Sequence, residues 1–457
     1  MKLINPRLPI VIVIFFVSLF SLHAQVRMPE IQFSQRVLAN GLHVISAPDH
    51  SSPTVSIQVW YHVGSKDDPD KRSGFAHLFE HMMFKSTKNM KSEMMDRLTE
   101  DIGGYNNAFT ADDVTVYYEV VPSNYLETLI WAEAERLSGL NIDDANFKSE
   151  REVVKEEFRE SVLTPPYGRF DYLLQFDSYF AHPYHRPTIG SIEDLDAASL
   201  KDVQDFHSTY YRSDNATLIV SGDFDPKQLD AWVDKYFGPI AKPNRPLPRV
   251  EVKEPARTHE IRFTMYSNND LPAIGVTYLT PGQADRDSDA LEVAQAILGA
   301  GDSSRLYHAL VYQYQLAAEV TAQADSREDA SLFLMTAVLS EGKKPMDAEG
   351  LLLYEVKKLM DAPVGPKELE KAKTQLITAE LKERETNEGR AQALGQAAVI
   401  LGDAKLANTT LARLNAVTAA DVQRVMKKYF VDSNRMVLYY LPESWKNKGD
   451  GISGVKQ

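Results

Sequence analysis

Residues 202–223 read DVQDFHSTYYRSDNATLIVSGD, and residues 421–442 read DVQRVMKKYFVDSNRMVLYYLP. Apolar, aromatic and Asn positions stay in register between these two segments over an offset of 219 residues. Because the offset is roughly half the chain, the pattern predicts duplication of one α+β domain and not a solenoid, whose repeats are about 20–50 residues long. Chance similarity of one helix-turn-strand unit is the alternative.

The repeat and the segment between its copies predict the domain organisation. Residues 238–257 read GPIAKPNRPLPRVEVKEPAR, which is rich in Pro and basic residues and lacks helical or strand periodicity. We therefore predict a catalytic N-terminal domain over 25–237, a linker over 238–257, a homologous C-terminal domain over 258–445 and a tail over 446–457. The length of 457 residues also exceeds what one hydrophobic core usually supports.

Residues 1–24 have the layout of a secretory signal peptide. Lys2 and Arg7 precede an apolar run from Leu8 to Leu22, and Ala24 closes the segment. This layout predicts export, with the periplasm as the expected location. Because the apolar run is close to the roughly 20 residues that cross a bilayer, an uncleaved N-terminal anchor is the alternative. No later stretch approaches membrane length.

Composition excludes several classes of function. The formal net charge is -14, and binding of nucleic acid needs clustered Lys and Arg instead. Between residues 93 and 160 there are 17 acidic residues and 6 basic ones, which indicates either a solvated acidic surface or a field that attracts basic peptides. The chain has no cysteine, so any metal must be held by His and carboxylate side chains.

The segment SGFAHLFEHMMFKS, residues 73–86, contains the order His-x-x-Glu-His at His77, Glu80 and His81. On a helical wheel these polar residues occupy one arc, and the apolar residues occupy the opposite arc. The spacing lets both imidazoles reach one cation, with Glu80 beside the open coordination position. The alternative is a surface helix whose polar face carries these residues by chance.

A catalytic zinc site needs a third protein ligand, which the helix predicted over 143–162 can supply. Glu150 and Glu157 fall within the inward sector of this helix, and Val153 is predicted to widen that sector. A carboxylate facing the interior needs a cation or a metal as its partner. Arg151 could be that cation, so a structural salt bridge is the alternative to a metal site.

The pair of segments HLFEHMMFKST (77–87) and EREVVKEEFRE (150–160) resembles the pitrilysin or insulinase family of zinc peptidases. The similarity is to the branch of the mitochondrial processing peptidases and their bacterial relatives. It extends through ANGLHV (39–44), NNAFT (106–110) and HPYHRPTIG (182–190). The resemblance implies an α+β fold of two homologous domains, each with a mainly antiparallel sheet packed against helices.

The resemblance also implies roles for individual residues. His77, His81 and Glu157 would bind Zn2+, Glu80 would be the general base, and Glu150 would support the site. The implied activity is a metalloendopeptidase that hydrolyses unfolded peptides through a zinc-bound water activated by Glu80, without a covalent intermediate.

Two further segments gain an interpretation from this resemblance. The strand with Asn107, Ala108 and Phe109 would pair with the substrate backbone by adding a strand to the sheet. His182 and His185 stand in a loop with two prolines, where we predict that they shape a turn and do not form a second metal pair.

The second half departs from the first. ALEVAQAILGAGDSSRL, residues 290–306, lacks the His-Glu-His set. Complete members of the family carry an Arg and a Tyr, seven residues apart, that contact the substrate, and here Val311 and Ala318 occupy those positions. We therefore expect a heterodimer with a related subunit that supplies the Arg and Tyr, or a homodimer, and weak activity of the chain alone.

Two other functions compete with the enzyme. A non-catalytic subunit that binds peptide or scaffolds an assembly would be expected to have lost Glu80 or a ligand, and neither is lost. A structural zinc site favours four protein ligands, usually including Cys, which this chain lacks.

Overall fold

The first half of the chain contains a six-stranded sheet in the computed structural model, which describes residues 29–446. Neighbouring strands are antiparallel except for the parallel pair β2–β6, and the order across the sheet is β1-β2-β6-β3-β5-β4. The strands are β1 (Ser34–Val37), β2 (His43–Pro48), β3 (Thr54–Tyr61), β4 (Tyr105–Thr110), β5 (Thr115–Pro122) and β6 (Ala216–Gly222). The helices are α1 (Phe75–Met82), α2 (Met94–Glu100), α3 (Leu126–Gly139), α4 (Asp144–Phe158), α5 (Gly168–Phe176), α6 (Ile192–Ala197), α7 (Leu200–Tyr210) and α8 (Pro226–Tyr236).

The second half contains a five-stranded sheet in the order β7-β11-β8-β10-β9, again with one parallel pair, β7–β11. Its strands are β7 (Ile261–Ser267), β8 (Ala273–Thr280), β9 (Ala317–Asp325), β10 (Ser331–Leu339) and β11 (Arg435–Pro442). Its helices are α9 (Ser288–Gly299), α10 (Pro345–Asp361), α11 (Pro366–Glu383), α12 (Asn387–Gly395), α13 (Thr410–Ala416) and α14 (Ala419–Tyr429).

The two sheets have the same topology, with β7-β11-β8-β10-β9 corresponding to β2-β6-β3-β5-β4. Helices α7 and α14 are related by the offset of 219 residues, and each begins with a capping box, Ser199 with Asp202 and Thr418 with Asp421. The predicted α+β fold of two homologous halves, each a mainly antiparallel sheet packed against helices, is therefore confirmed.

Each half contributes one helix to the other half's sheet. One face of the first sheet packs against α1, α3, α7 and α8, and its other face is covered by α12 from the second half, where Leu394 packs with Trp60. In return α5 from the first half covers a face of the second sheet, where Leu174 packs with Met436. Both sheets are therefore covered on two faces, which explains why β3 and β8 are almost entirely buried, including the polar residues Ser56 and Gln58 of β3.

The segment predicted as a linker, residues 238–257, contains no helix or strand, yet it is firmly attached to both halves. The buried guanidinium of Arg257 donates hydrogen bonds to the carbonyl oxygens of Ser178 and Thr277. The carboxylate of Glu254 accepts from three successive backbone N–H groups at residues 180–182. The domain boundaries themselves stay a prediction, since residues 31–446 pack as one compact unit.

The predicted signal segment, residues 1–24, lies outside the described residues, as does the predicted tail except for its first residue. Within residues 29–446 no helix has both the length and the apolar character needed to cross a membrane.

Candidate metal centre

Helix α1 carries the His-x-x-Glu-His motif and presents it away from the sheet. The helix begins after Gly74, whose φ of 92° is readily adopted only by glycine. Its apolar face is buried in the core of the first half, while His77, Glu80 and His81 are half-buried on the opposite face. The buried residues are Phe75, Ala76, Leu78, Phe79 and Met82.

Helix α4 lies against α1 and brings two carboxylates to the motif. Its N-terminus is capped by Asp143, whose side chain accepts from the backbone N–H of Asn146. Phe147 and Val154 are buried, so the helix presents Glu150 and Glu157 towards α1. The Glu150 carboxylate is buried, whereas the Glu157 side chain is 42% exposed and faces solvent at the mouth of the site.

His77, His81 and Glu157 bring their donor atoms together. Oε2 of Glu157 lies 3.7 Å from Nε2 of His77 and 3.3 Å from Nε2 of His81, and the three donor atoms lie within 4.8 Å of one another. Two ligand atoms bound tetrahedrally to one zinc are about 3.4 Å apart, given metal–ligand bonds of about 2.0–2.1 Å. The donor set of two imidazoles and one carboxylate therefore fits zinc.

The three side chains differ in their protonation. Burial lowers the pKa of His77 to about 4, so its ring is neutral and has a lone pair to offer. For His81, burial alone lowers the pKa, but the hydrogen bond and charge of Glu157 outweigh burial and raise it. The hydrogen bond from His81 holds the pKa of Glu157 below its usual range. Without a metal, His81 and Glu157 therefore form an ion pair, and His81 would have to lose a proton to bind a metal ion.

The side chain of Glu80 extends from α1 to the edge strand β4. The Thr110 hydroxyl, on β4, donates a hydrogen bond to Oε2 of Glu80. Burial raises the pKa of Glu80, and the Thr110 hydrogen bond and the nearby His81 oppose that rise. The site thus holds a carboxylate of increased basicity one residue from a ligand candidate.

Glu150 does not pair with Arg151, the cation that the helical wheel offered. Its Oε1 lies 2.7 Å from Nζ of Lys85, and its Oε2 lies 3.9 Å from Nδ1 of His81. Arg151 turns outward instead, where it pairs with Glu152 and stacks on a neighbouring ring. Glu150 therefore lies beside the imidazole of His81 on the side opposite Glu157.

The strand predicted to bind substrate is β4, the terminal strand of its sheet, and no other described strand pairs with its outer edge. Asn107 is exposed, and its side-chain oxygen accepts a hydrogen bond from the backbone N–H of Ala108. The Phe109 ring turns to the other face of the sheet and meets Trp60 edge-on at 6.1 Å. Of the three residues predicted to bind substrate, Asn107 alone is therefore exposed, while Ala108 and Phe109 are half-buried.

His182 caps the short 3-10 turn Pro183–His185, and His185 is the last residue of that turn. His182 is fully buried, and its Nδ1 accepts from the backbone N–H of Tyr184. Among residues 29–446, His77, His81 and Glu157 are the one group of three or more His, Asp or Glu side chains close enough to share a metal ion.

Sequence patterns alone missed three side chains that hold the site. Thr110 lies two residues after Ala108, so both are on the face of β4 that meets α1, and strand periodicity could have indicated it. Lys85 lies four residues after His81, and helix periodicity could have indicated it in the same way. Asp68 accepts hydrogen bonds from the backbone N–H groups of Gly74 and Ala76 at the start of α1. Its role depends on a loop conformation that has no periodic signal.

In the second half, the positions of the expected Arg and Tyr lie near the start of the edge strand β9. Val311 is half-buried against the core of the second half, and Ala318 is exposed on β9. Neither side chain can supply a hydrogen bond to a substrate.

Comparison with known proteins relates this chain to one family of peptidases. Residues 43–190 match the family model described as Insulinase (Peptidase family M16), and residues 197–376 match the model described as Peptidase M16 inactive domain. The chain is 31% identical to the zinc protease PqqE of Helicobacter pylori over 77% of its own length and 80% of that protein. It is 26% identical to a probable mitochondrial-processing peptidase subunit beta of Arabidopsis thaliana, over 87% of its own length and 76% of that protein.

A solved structure has the same fold. The crystal structure of a protease from Helicobacter pylori superposes with a TM-score of 0.87 at 28% identity, covering 90% of this chain and 99% of that one. The extent of this fold similarity and the identity to the zinc protease lead to one conclusion: the chain belongs to the insulinase family of peptidases, peptidase family M16.

Proposed function

We propose that this chain is a zinc-dependent endopeptidase that hydrolyses unfolded peptides. The observation that carries the proposal is the position of Glu157 Oε2, 3.7 and 3.3 Å from Nε2 of His77 and His81, with Glu80 beside them. Three protein ligands and an open side towards solvent are typical of catalytic zinc sites, whereas structural sites are closed by four.

The proposed roles follow from where each side chain lies. His77, His81 and Glu157 would hold the zinc. When bound, zinc supplies a Lewis acid that lowers the pKa of water and polarises the scissile carbonyl. Glu80, kept basic by burial, takes a proton from the attacking water and passes it to the leaving amine as the C–N bond breaks. The products are a carboxylate and an amine.

The substrate is proposed to be an extended peptide paired with β4. The free edge of this strand offers backbone N–H and C=O groups, as required for strand addition. Folded proteins cannot donate an isolated extended strand, so unfolded peptides are the expected substrate class. The acidic stretch between residues 93 and 160 favours basic peptides among them.

A related subunit is proposed to complete the enzyme. Val311 and Ala318 replace the Arg and Tyr of self-sufficient family members, and one relative is itself named as a subunit, the beta subunit of a processing peptidase. A partner of the same fold that carries the pair would supply the missing contacts. We expect the isolated chain to be weakly active and mixing with such a subunit to raise kcat/KM.

The test compares the mature chain with its Glu80→Gln variant on an unstructured basic peptide, with zinc quantified in both and a chelator control. Loss of hydrolysis in the variant with zinc retained would support Glu80 as the base. Zinc without hydrolysis in the wild-type chain, even with a related subunit added, would contradict the enzyme and support the alternative, a non-catalytic peptide-binding or scaffold subunit.

Export to the periplasm is also proposed, on the basis of the signal-like layout of residues 1–24. Cell fractionation with N-terminal sequencing of the mature protein tests it. A soluble periplasmic chain that starts near Gln25 is expected. Retention of residues 1–24 in the membrane fraction would indicate the anchored alternative.

A further inference from the structure

The turn between β9 and β10 places three consecutive charged residues of the second half against the first half. These residues are Arg327, Glu328 and Asp329, and each reaches a different segment of the first half. The Arg327 side chain is 6% exposed, so this contact is part of the interior and not a surface ion pair. We call these three residues the charged turn.

Glu328 binds the segment that leads into α1. Its Oε2 accepts from Nζ of Lys66 at 2.5 Å and lies 2.8 Å from Nε2 of His62. The Lys66 side chain is 6% exposed, and its ammonium also lies 2.8 Å from Oδ1 of Asp113. An ammonium buried to this extent needs its carboxylates, because a lone buried charge is strongly destabilising.

Lys66 lies two residues before Asp68, whose carboxylate binds the start of α1. Asp68 is fully buried, and its two oxygens accept from the backbone N–H groups of Gly74 at 2.7 Å and Ala76 at 2.8 Å. These donors belong to the first turn of the helix, whose N–H groups have no partner within the helix. The position of Asp68 therefore sets where the helix with the His-x-x-Glu-His motif begins.

Arg327 binds the segment that follows the edge strand β4. Its Nε lies 2.6 Å from Oδ2 of Asp112, and the backbone N–H of Glu328 donates to Oδ2 of Asp113 at 2.9 Å. Asp112 is two residues beyond Thr110, which donates to Glu80. The same turn thus holds the end of the strand that orients the proposed base.

Asp329 binds the third segment, residues 182–190, which returns to α1. Its Oδ2 lies 3.4 Å from Nε2 of His182, and its backbone N–H donates to the Tyr184 hydroxyl at 3.2 Å. At the other end of this segment, Gly190 packs against Gly74, and a Cβ on Gly190 would overlap the Gly74 backbone. Both glycines have positive φ, so this close approach is specific to the pair.

We propose that the charged turn is a positioning element for the first half's catalytic centre, acting through Lys66 and Asp68 on α1 and through Asp112 on Thr110. The second half would then contribute to the centre without placing any group in it. A shift of about 1 Å in catalytic groups can lower a rate by about a hundredfold, so such anchoring has functional weight. The inference rests on the proposed function for its activity readout and on the proposed metal ligands for its Co2+ readout, whereas amide exchange depends on neither.

The test uses Glu328→Gln in the full chain, with Glu368→Gln as the matched control. Glu368 accepts from Arg305 at 2.7 Å through both oxygens, and both residues belong to the second half. Each variant removes one partly exposed carboxylate from a close ion pair, but only Glu328 reaches the first half.

Three readouts are expected to separate the variants. In the metal-free chain, amide exchange of a peptide covering residues 75–82 should be about threefold faster in Glu328→Gln and unchanged in Glu368→Gln. The visible absorption spectrum of the Co2+-loaded protein should change in the first variant alone. The kcat should fall about tenfold with KM changed less than twofold. The reason is that displaced catalytic groups stabilise the transition state less, while they contribute little to binding of the substrate.

Unchanged exchange over 75–82 in folded Glu328→Gln, or an equal change in Glu368→Gln, would overturn the proposal. Glu328→Asp, which keeps the charge but shortens the side chain, gives a second test if Glu328→Gln does not fold. A smaller change in the same direction is expected for it, and no change would count against the proposal. If the wild-type chain never hydrolyses peptide, the proposed function fails, while exchange and the Co2+ spectrum still decide the positioning role.

Discussion

The hydroxyl of Thr110 on the edge strand β4 donates a hydrogen bond to the carboxylate of Glu80 on α1. These residues are 30 positions apart, and the bond joins the strand proposed to hold the substrate to the proposed base. A shift of the edge strand would therefore shift the hydrogen bond that orients the carboxylate.

Thr110→Val should lower kcat/KM about tenfold, because a hydrogen bond to a charged group is worth about 1.5–3 kcal/mol. The shape of the side chain is kept and only the hydroxyl is lost. Thr110→Ser should retain most activity, and Thr321→Val on the equivalent strand β9 serves as the control. Steady-state kinetics would contradict the expectation if Thr110→Val matched the wild type.

Glu157→Gln should weaken zinc binding by more than about a hundredfold, because it removes the anionic donor of the set. Glu156→Gln is the matched control, since its carboxylate is exposed and pairs with Arg159 one turn away. Competition with a chromophoric chelator measures both affinities. Equal affinities in the two variants would exclude Glu157 as a ligand.

Glu150→Gln should leave zinc bound but lower activity about tenfold. Loss of a side chain that contacts a metal ligand without binding the metal typically lowers activity by about 10- to 100-fold, and we expect the lower value here. The reason is its position beside His81 and its contact with Lys85 at 2.7 Å. Loss of this carboxylate leaves the Lys85 ammonium without its close anion, so a lower melting temperature is also expected. Loss of zinc comparable to that in Glu157→Gln would instead make Glu150 a ligand.

Acid should remove the stabilising contribution of Glu328. Burial raises the pKa of this carboxyl, but hydrogen bonds and charges from His62 and Lys66 outweigh burial and lower it to about 2. A carboxyl whose pKa is lowered on folding stabilises the protein above its unfolded pKa, and this contribution disappears as pH falls towards the folded pKa. With partial exposure discounted, the contribution is about 2 kcal/mol at neutral pH.

The measurement is the melting temperature of the wild type and Glu328→Gln from pH 7 to pH 3. The difference in melting temperature between the two proteins should be constant above about pH 5.5 and should become smaller below about pH 4.5. A gap that widens on acidification would show that the sign is wrong.

Gly395→Ala should destabilise the protein by about 1–3 kcal/mol, because a Cβ there would overlap the Trp60 indole across the contact between α12 and the first sheet. Gly350→Ala in α10 is the control, since no atom lies within 4 Å of its added Cβ and Ala favours a helix by about 1 kcal/mol. Thermal unfolding should therefore move in opposite directions for the two variants. A stabilised Gly395→Ala would contradict this account of the contact.

Helical periodicity predicted much of the candidate site, but not its partners. The wheel placed the apolar and polar faces of α1 correctly, and it placed Glu150 in the inward sector of α4, where it is buried, but Glu157, placed in the same sector, is 42% exposed. It failed for Val153, which is 47% exposed, because α4 packs on one side only and Val153 lies beyond the edge of that contact. It also offered Arg151 as the partner of Glu150, whereas the observed partner is Lys85, three residues beyond the end of α1.

The sequence by itself determined what repeats locally: the duplication with an offset of 219 residues, its capping boxes, and a helix with two imidazoles and a carboxylate on one face. The capping boxes and the two-faced helix depend on residues a few positions apart, so local spacing predicts them, and the duplication is visible when the two halves of the sequence are compared. Only the tertiary structure decided the contacts between Thr110 and Glu80 and between Lys66 and Glu328, which join residues 30 and 262 positions apart. Such contacts depend on how the chain closes long loops around two cores, and no local pattern of side chains encodes that closure.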